Sequence, residues 1–120
     1  MVGKIDHIEI EASDAEEMAD FLKKLGYEEV RRTEHHGESF ELEPTDSDGP
    51  LFEIHTVDGE EVPGINHIAY AHDDLDELAE ELGDQGVDSI VGPYDVEETG
   101  RTILNFRDPD GRRFQAVDDE

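Results

Sequence analysis

Ile65-Asn66-His67-Ile68-Ala69-Tyr70 repeats Ile5-Asp6-His7-Ile8-Glu9-Ile10 at a constant offset of sixty residues, from His7 to His67. The echo continues without a gap: Asp14, Glu17, Ala19, Leu22 and Gly26 recur as Asp74, Glu77, Ala79, Leu82 and Gly86. One structural unit is written twice. In an extended strand successive side chains point to opposite faces, so each copy sets its histidine on one side and the isoleucine after it on the other. Two matching strands therefore present two matching histidines.

Outward from that stretch, residues 3–11 alternate as a strand. Ser13 and Glu16 have the spacing of a capping box, after which Ala15, Met18, Ala19, Leu22 and Leu25 form one apolar helical stripe that ends at Gly26. A strand is expected from Tyr27 to Arg32, then a turn at His35-His36-Gly37, a strand through Phe40 and Leu42, the turn Asp46-Ser47-Asp48-Gly49-Pro50, and a strand from Leu51 to Val57. Residues 58–64 read as a linker. The second copy has a strand at 65–71, a helix from Asp74 capped by Asp73, and a strand near Val87 to Val91. A loop follows, bracketed by Pro93 and Gly100, then a strand at 101–106, the turn Asp108-Pro109-Asp110-Gly111, and a last strand from Arg112 to Val117. The expected fold is α+β, a single domain over 1–120 with module 1 at about 3–57 and module 2 at about 65–118. These are two tandem βαβββ modules forming a curved, cup-like sheet with the helices outside.

The chain has 35 Asp and Glu against 9 Lys and Arg, a formal net charge of −26. Such a surface repels the phosphate backbone, so no nucleic acid partner is expected. Apolar residues still fall on helix and strand periods throughout, which marks the acidic residues as a solvated face and not a disordered tail. No cysteine is present, which removes disulfide and thiolate chemistry. No stretch has the apolar length of a membrane span, so no membrane contact is expected and the chain reads as cytoplasmic, in a salt-accumulating halophile. A 120-residue chain with two small sheets has little apolar surface to bury alone, and a homodimer is expected.

The helix-covered face of each sheet must take Ile8, Ile10, Phe52, Ile54, Ile68, Tyr70 and Phe114. His7, Glu53, His67 and Gln115 then project from the other face. Any one of them alone would be an ordinary polar group on a half-exposed strand. Two imidazoles, a carboxylate and an amide oxygen at repeat-related positions form a ligand set suited to a divalent first-row metal such as Zn, Ni, Fe, Mn or Co. His55 lies on the same strand face as Glu53, as a partner of the site or as a solvated histidine. Arg101 can anchor an anionic substrate group or pair with the acidic surface. Ala69 and Ala71, where the first copy has Glu9 and Glu11, leave room for a ligand.

The His-Ile openings at His7-Ile8 and His67-Ile68, Phe52-Glu53-Ile54, and Asp108-Pro109-Asp110-Gly111-Arg112-Arg113-Phe114-Gln115 resemble the vicinal oxygen chelate superfamily, whose best-known member is glyoxalase I. The resemblance spans nearly the whole chain. It implies metal ligands at His7, Glu53, His67 and Gln115. It also implies a metal-dependent lyase or isomerase acting on a small substrate with vicinal oxygens through an enediolate. Family glyoxalases usually have Glu where this chain has Gln115. An amide cannot take a proton at neutral pH, so the catalytic base falls to Glu53. The same family implies two alternatives, a non-catalytic small-molecule binder like the bleomycin-resistance proteins and an extradiol-type dioxygenase.

The charge carries its own expectation. Self-repulsion at −26 is offset only by screening or cation binding, so the melting temperature should rise steeply between about 0.1 M and molar KCl, a range over which the screening length falls from about 10 to about 3 Å. Thermal melts across that range check it, and an unchanged melting temperature would remove the halophile reading.

Overall fold

The computed structural model describes residues 2–33, 39–46, 48–59, 62–97 and 99–118. The expected turn at His35-His36-Gly37, Ser47 of the following turn, and Glu60-Glu61 of the linker lie outside the described residues. The elements run β1 (Ile5–Ala12), α1 (Ala15–Lys24), β2 (Tyr27–Thr33), β3 (Ser39–Pro44) and β4 (Leu51–Thr56), and continue with β5 (Gly64–Ala71), α2 (Leu75–Asp84), β6 (Val91–Val96), β7 (Arg101–Arg107) and β8 (Arg113–Asp118). This is the βαβββ unit twice, as the repeat requires. By compactness the chain divides into two units, His7–Asn66 and Met1–Asp6 with His67–Glu120. The amino-terminal residues join the second unit through backbone bonds from Gly3 N–H to Ala71 C=O at 2.7 Å and from Ala71 N–H to Lys4 C=O at 2.9 Å. Among the described residues no helix is long and apolar enough to cross a membrane.

In the first unit β1 lies parallel to β4, β4 antiparallel to β3, and β3 antiparallel to β2. α1 covers one face of this sheet. Its Ala15, Ala19 and Leu22 pack against Ala12, Phe40, Leu42 and Ile54, with Met18, Tyr27 and Phe52 at the margin. Leu25, which the stripe includes, is instead the C-cap of α1 and is exposed, because Gly26 (φ 99°) turns the chain out of the helix there.

The second unit repeats the plan, β5 parallel to β8, β8 antiparallel to β7, and β7 antiparallel to β6. Leu75 and Leu78 of α2 meet Leu104 and Ala116, with Phe106 beside them. On the same face Phe114 stacks between Tyr70 and Phe106, at ring separations of 6.4 and 6.3 Å.

Two expectations shift. β6 occupies Val91–Val96, inside the stretch read as a loop, and residues 87–90 form no strand. Gly92-Pro93 has the composition of a loop. Here it sits at a register shift between Val91 and Tyr94 in an edge strand, where a missing N–H and a glycine at φ 105° are tolerated. The helix caps move one residue inward. Asp14, not Ser13, caps α1 by accepting from Glu17 N–H at 3.2 Å, and Asp74, not Asp73, caps α2 by accepting from Glu77 N–H at 3.0 Å. Burial decides between the neighbouring candidates, since Ala15 and Leu75 must be the first helical residues to reach the core.

The repeated cap is worth about 1 kcal/mol at each helix. Asp14→Ala and Asp74→Ala should each lower stability by that order in denaturant titrations at fixed salt. Ser13→Ala and Asp73→Ala should stay within about 0.5 kcal/mol, and the opposite ranking would contradict the assigned caps.

Candidate functional site

The four residues singled out in the sequence all come from strands, project from the sheet face away from the helix, and are buried. His7 on β1 and Glu53 on β4 are neighbours within the first unit, with Nε2 and Oε2 3.9 Å apart. That is an ion-pair separation, too long for a hydrogen bond. His67 on β5 and Gln115 on β8 hold the repeat-equivalent places in the second unit. The registers match, since Glu9 pairs with Glu53 as Ala69 pairs with Gln115.

The strand registers add residues to this face that the sequence reading left without a role. Across β1, β4 and β3 the partners are Glu9, Glu53 and Glu41, three carboxylates in one row that are 6, 8 and 3 % exposed. The next row holds Glu11, His55 and Ser39, all buried. Like charges set directly opposite each other destabilise a sheet, and buried carboxylates are costly unless paired. Two cations meet part of that cost. Arg31 places Nε 3.9 Å from Oε2 of Glu41, and His55 lies between Glu9 and Glu11. Such a face does not arise from packing, because α1 already satisfies the apolar side of the same strands. Strand parity with His7 and Phe40 was the signal that could have found Glu9, Glu11 and Glu41.

His55 is the hub of the second row. Its Nε2 lies 3.3 Å from Oε1 of Glu11, an oxygen that also accepts from Asn66 Nδ2 at 2.7 Å. Its Nδ1 lies 3.3 Å from Oε1 of Glu9 without the alignment of a hydrogen bond, so that contact is electrostatic. Glu9 is the largest influence on the imidazole, and with Glu11 it outweighs burial and pushes the pKa from 6.5 up to about 9. His55 is therefore an imidazolium at neutral pH.

The second unit has no carboxylate in the matching rows. Where the first has Glu9, Glu53 and Glu41, the second has Ala69, Gln115 and Asn105, and Glu11, His55 and Ser39 give way to Ala71, Val117 and Ile103. Ala69, Ile103 and Val117 form a small apolar cluster there. Arg101 opens β7 opposite Val96 and is half-buried on this same face. His72 belongs elsewhere, for its Nδ1 accepts from Asp74 N–H at 3.0 Å and so supports the start of α2.

The donor set fits a divalent first-row ion. Imidazole nitrogen and carboxylate oxygen each sit about 2.0–2.2 Å from such an ion, so two donors of one ion lie no more than about 4.4 Å apart, and the 3.9 Å between His7 and Glu53 lies inside that outer limit. Among the described residues no three His, Cys, Asp or Glu side chains converge to hold an ion together.

The His55 pKa sets a pH dependence. With the folded value raised, the stabilisation is complete below 6.5, the unfolded value, and is lost as pH rises through about 9. The His55 ring resonances should titrate near that upper value, and His55→Gln should flatten the loss of stability between the two. A midpoint at or below 6.5 would contradict the carboxylate contacts.

No curated protein matches the sequence. Solved structures do. Methylmalonyl-CoA epimerase from Mycobacterium tuberculosis has a TM-score of 0.80 at 21 % identity, over 97 % of this chain and 87 % of that one. Streptomyces coelicolor methylmalonyl-CoA epimerase in complex with 2-nitronate-propionyl-CoA has a TM-score of 0.78 at 20 % identity, over 98 % and 97 %. A hypothetical protein from Bacillus halodurans has a TM-score of 0.74 at 18 % identity, over 95 % and 92 %. At these identities the likeness is one of fold. The sequence itself matches the Glyoxalase/Bleomycin resistance protein/Dioxygenase superfamily over residues 4–116, and with the duplicated module and its paired histidine strands in place, the chain belongs to that superfamily, the vicinal oxygen chelate group.

Proposed function

We propose that the chain is a divalent-metal-dependent lyase or isomerase of glyoxalase type, moving a proton at a carbon beside a carbonyl of a small substrate with vicinal oxygens. The observation that carries this reading is the buried His7 and Glu53 pair together with its repeat image, His67 and Gln115. These four residues are the proposed ligands. A bound ion would supply Lewis-acid polarisation of the substrate oxygens.

The chain's own groups divide the remaining work. Glu53 is the one proton acceptor among the four at neutral pH that is not an imidazole, since the Gln115 amide has no basic site there. We assign it the proton on carbon, as general base. Glu9 and Glu41 flank Glu53 in register and offer a second acid–base group at the same level of the sheet. An epimerase must remove a proton and return one to the opposite side of the same carbon. Epimerase is also the activity named for two of the three solved structures of like fold reported above, which supports the isomerase form of this reading. A pure binding protein has no use for three opposed buried carboxylates, whose burial weakens the fold.

The test uses purified protein loaded with each first-row divalent ion in turn. Substrate probes are methylmalonyl-CoA and hemithioacetals of 2-oxoaldehydes in D2O, with deuterium incorporation at the carbon as readout. Glu53→Gln should lower exchange by roughly 10²–10⁴-fold and weaken metal binding. His67→Ala should reduce metal content, and Gln115→Glu should retain it. If Glu53→Gln and His67→Ala both bind metal as tightly as the parent chain, the constellation is not a site.

A further inference from the structure

We infer that Arg113, with Arg107 beside it, anchors an anionic oxygen group of the ligand, a carboxylate or a phosphate, on the second unit's face. The inference rests on the reading above that this face meets the substrate, and it names the substrate's charge class.

Three observations carry it. First, the registers put His67, Arg113 and Arg107 in one row across β5, β8 and β7, so two arginines hold facing strand positions in the row of a proposed ligand histidine. Like charges so placed repel, as the glutamates of the first unit do, and an anion between them removes the penalty. Second, neither arginine has an ion pair among the described residues, in a chain with 35 Asp and Glu. Of the other arginines, Arg31, Arg32 and Arg112 have carboxylate partners, whereas among the lysines Lys23 is paired and Lys4 and Lys24 show no ion pair among the described residues. Arg113 is half-buried, and it spends Nε on the neutral Oδ1 of Asn105 at 3.2 Å. Asn105 in turn donates to the Tyr94 hydroxyl, so the guanidinium is braced from behind. Its terminal nitrogens are left for the two-pronged contact that suits carboxylate and phosphate. Arg107 is held the same way, donating from Nη1 to the Gly111 carbonyl at 2.9 Å.

Third, the repeat shows that this charge is not inherited from the shared architecture. In the first unit the residue in register with His7 is Leu51, and in the second the residue in register with His67 is Arg113. The same comparison exchanges Glu9, Glu11, Glu41 and Glu53 for Ala69, Ala71, Asn105 and Gln115. Carboxylates that would compete for the guanidinium are gone from these rows. The first unit's face thus carries the carboxylates, and the second, beside its proposed ligands His67 and Gln115, carries the arginines that would hold an anion.

The experiment follows the Arg113 Nε–Hε resonance, assigned by its absence in Arg113→Lys, while malonate or inorganic phosphate is added to the full chain at constant ionic strength. It is run on protein stripped of metal by chelation and again on metal-loaded protein. A saturable shift should appear in the stripped protein, and Arg113→Gln should bind the same anion about tenfold or more weakly. Arg112→Gln, at an exposed position, should bind as the parent does. A response to malonate alone assigns a carboxylate, and a response to phosphate alone assigns a phosphate. No saturable shift with either, or equal binding by Arg113→Gln, overturns the inference. If Arg113→Gln does not fold, the parent's own resonance still decides. Failure of the metal reading would show separately, as absent metal uptake with anion binding intact.

Discussion

The two-residue period of the strand is the constraint on which everything else in this molecule depends. Each strand can give one face to the helix that covers it, and the apolar residues of β1, β3 and β4 take that face because α1 offers Ala15, Ala19 and Leu22. Whatever remains is committed to the opposite face by geometry alone. His7, Glu9 and Glu11 thus stand together without any one of them being placed for stability. The second unit obeys the same rule with Leu75, Leu78, Leu104 and Ala116 on the helix side, which leaves His67, Gln115 and Arg113 opposite. A one-residue slip in β1 or β5 would carry the histidines into the core and the isoleucines out of it, so the apolar packing fixes the register of the site.

The two copies then diverge in charge while keeping their backbones. Three opposed carboxylates in the first unit are offset in part by Arg31 and by the imidazolium of His55. This arrangement weakens the fold that carries it, and such conflicts between local stability and side-chain choice concentrate where a protein acts. The two units differ in these rows while sharing strand order, helix caps and a helix-covered apolar face.

Much of this was legible in the chain. The sixty-residue echo marked the first strand and helix of each module, and local alternation with turn residues marked five more strands, because apolar periodicity and packing agree at those positions. β6 was not legible, since Gly92-Pro93 has the chemistry of a loop and only pairing with β7 makes it a strand. The caps were misplaced by one residue because Ser13, Asp14, Asp73 and Asp74 are all competent and burial of Ala15 and Leu75 chooses among them. His7, Glu53, His67 and Gln115 could be grouped by parity. Glu9, Glu11 and Glu41 obey the same parity, but in a chain of charge −26 a strand glutamate looks like surface. Arg113 was hidden by Arg112 beside it, whose exposed pairing with Asp108 and Asp110 is what adjacent arginines in an acidic chain suggest.

X-ray absorption at the metal edge of the loaded protein tests the central claim most directly, because multiple scattering from imidazole rings counts the histidine ligands without reference to any substrate. The account predicts two imidazoles with the remaining shell made of oxygen, and one imidazole fewer in His67→Ala. A shell of oxygen alone, or two imidazoles that persist in His67→Ala, would contradict it.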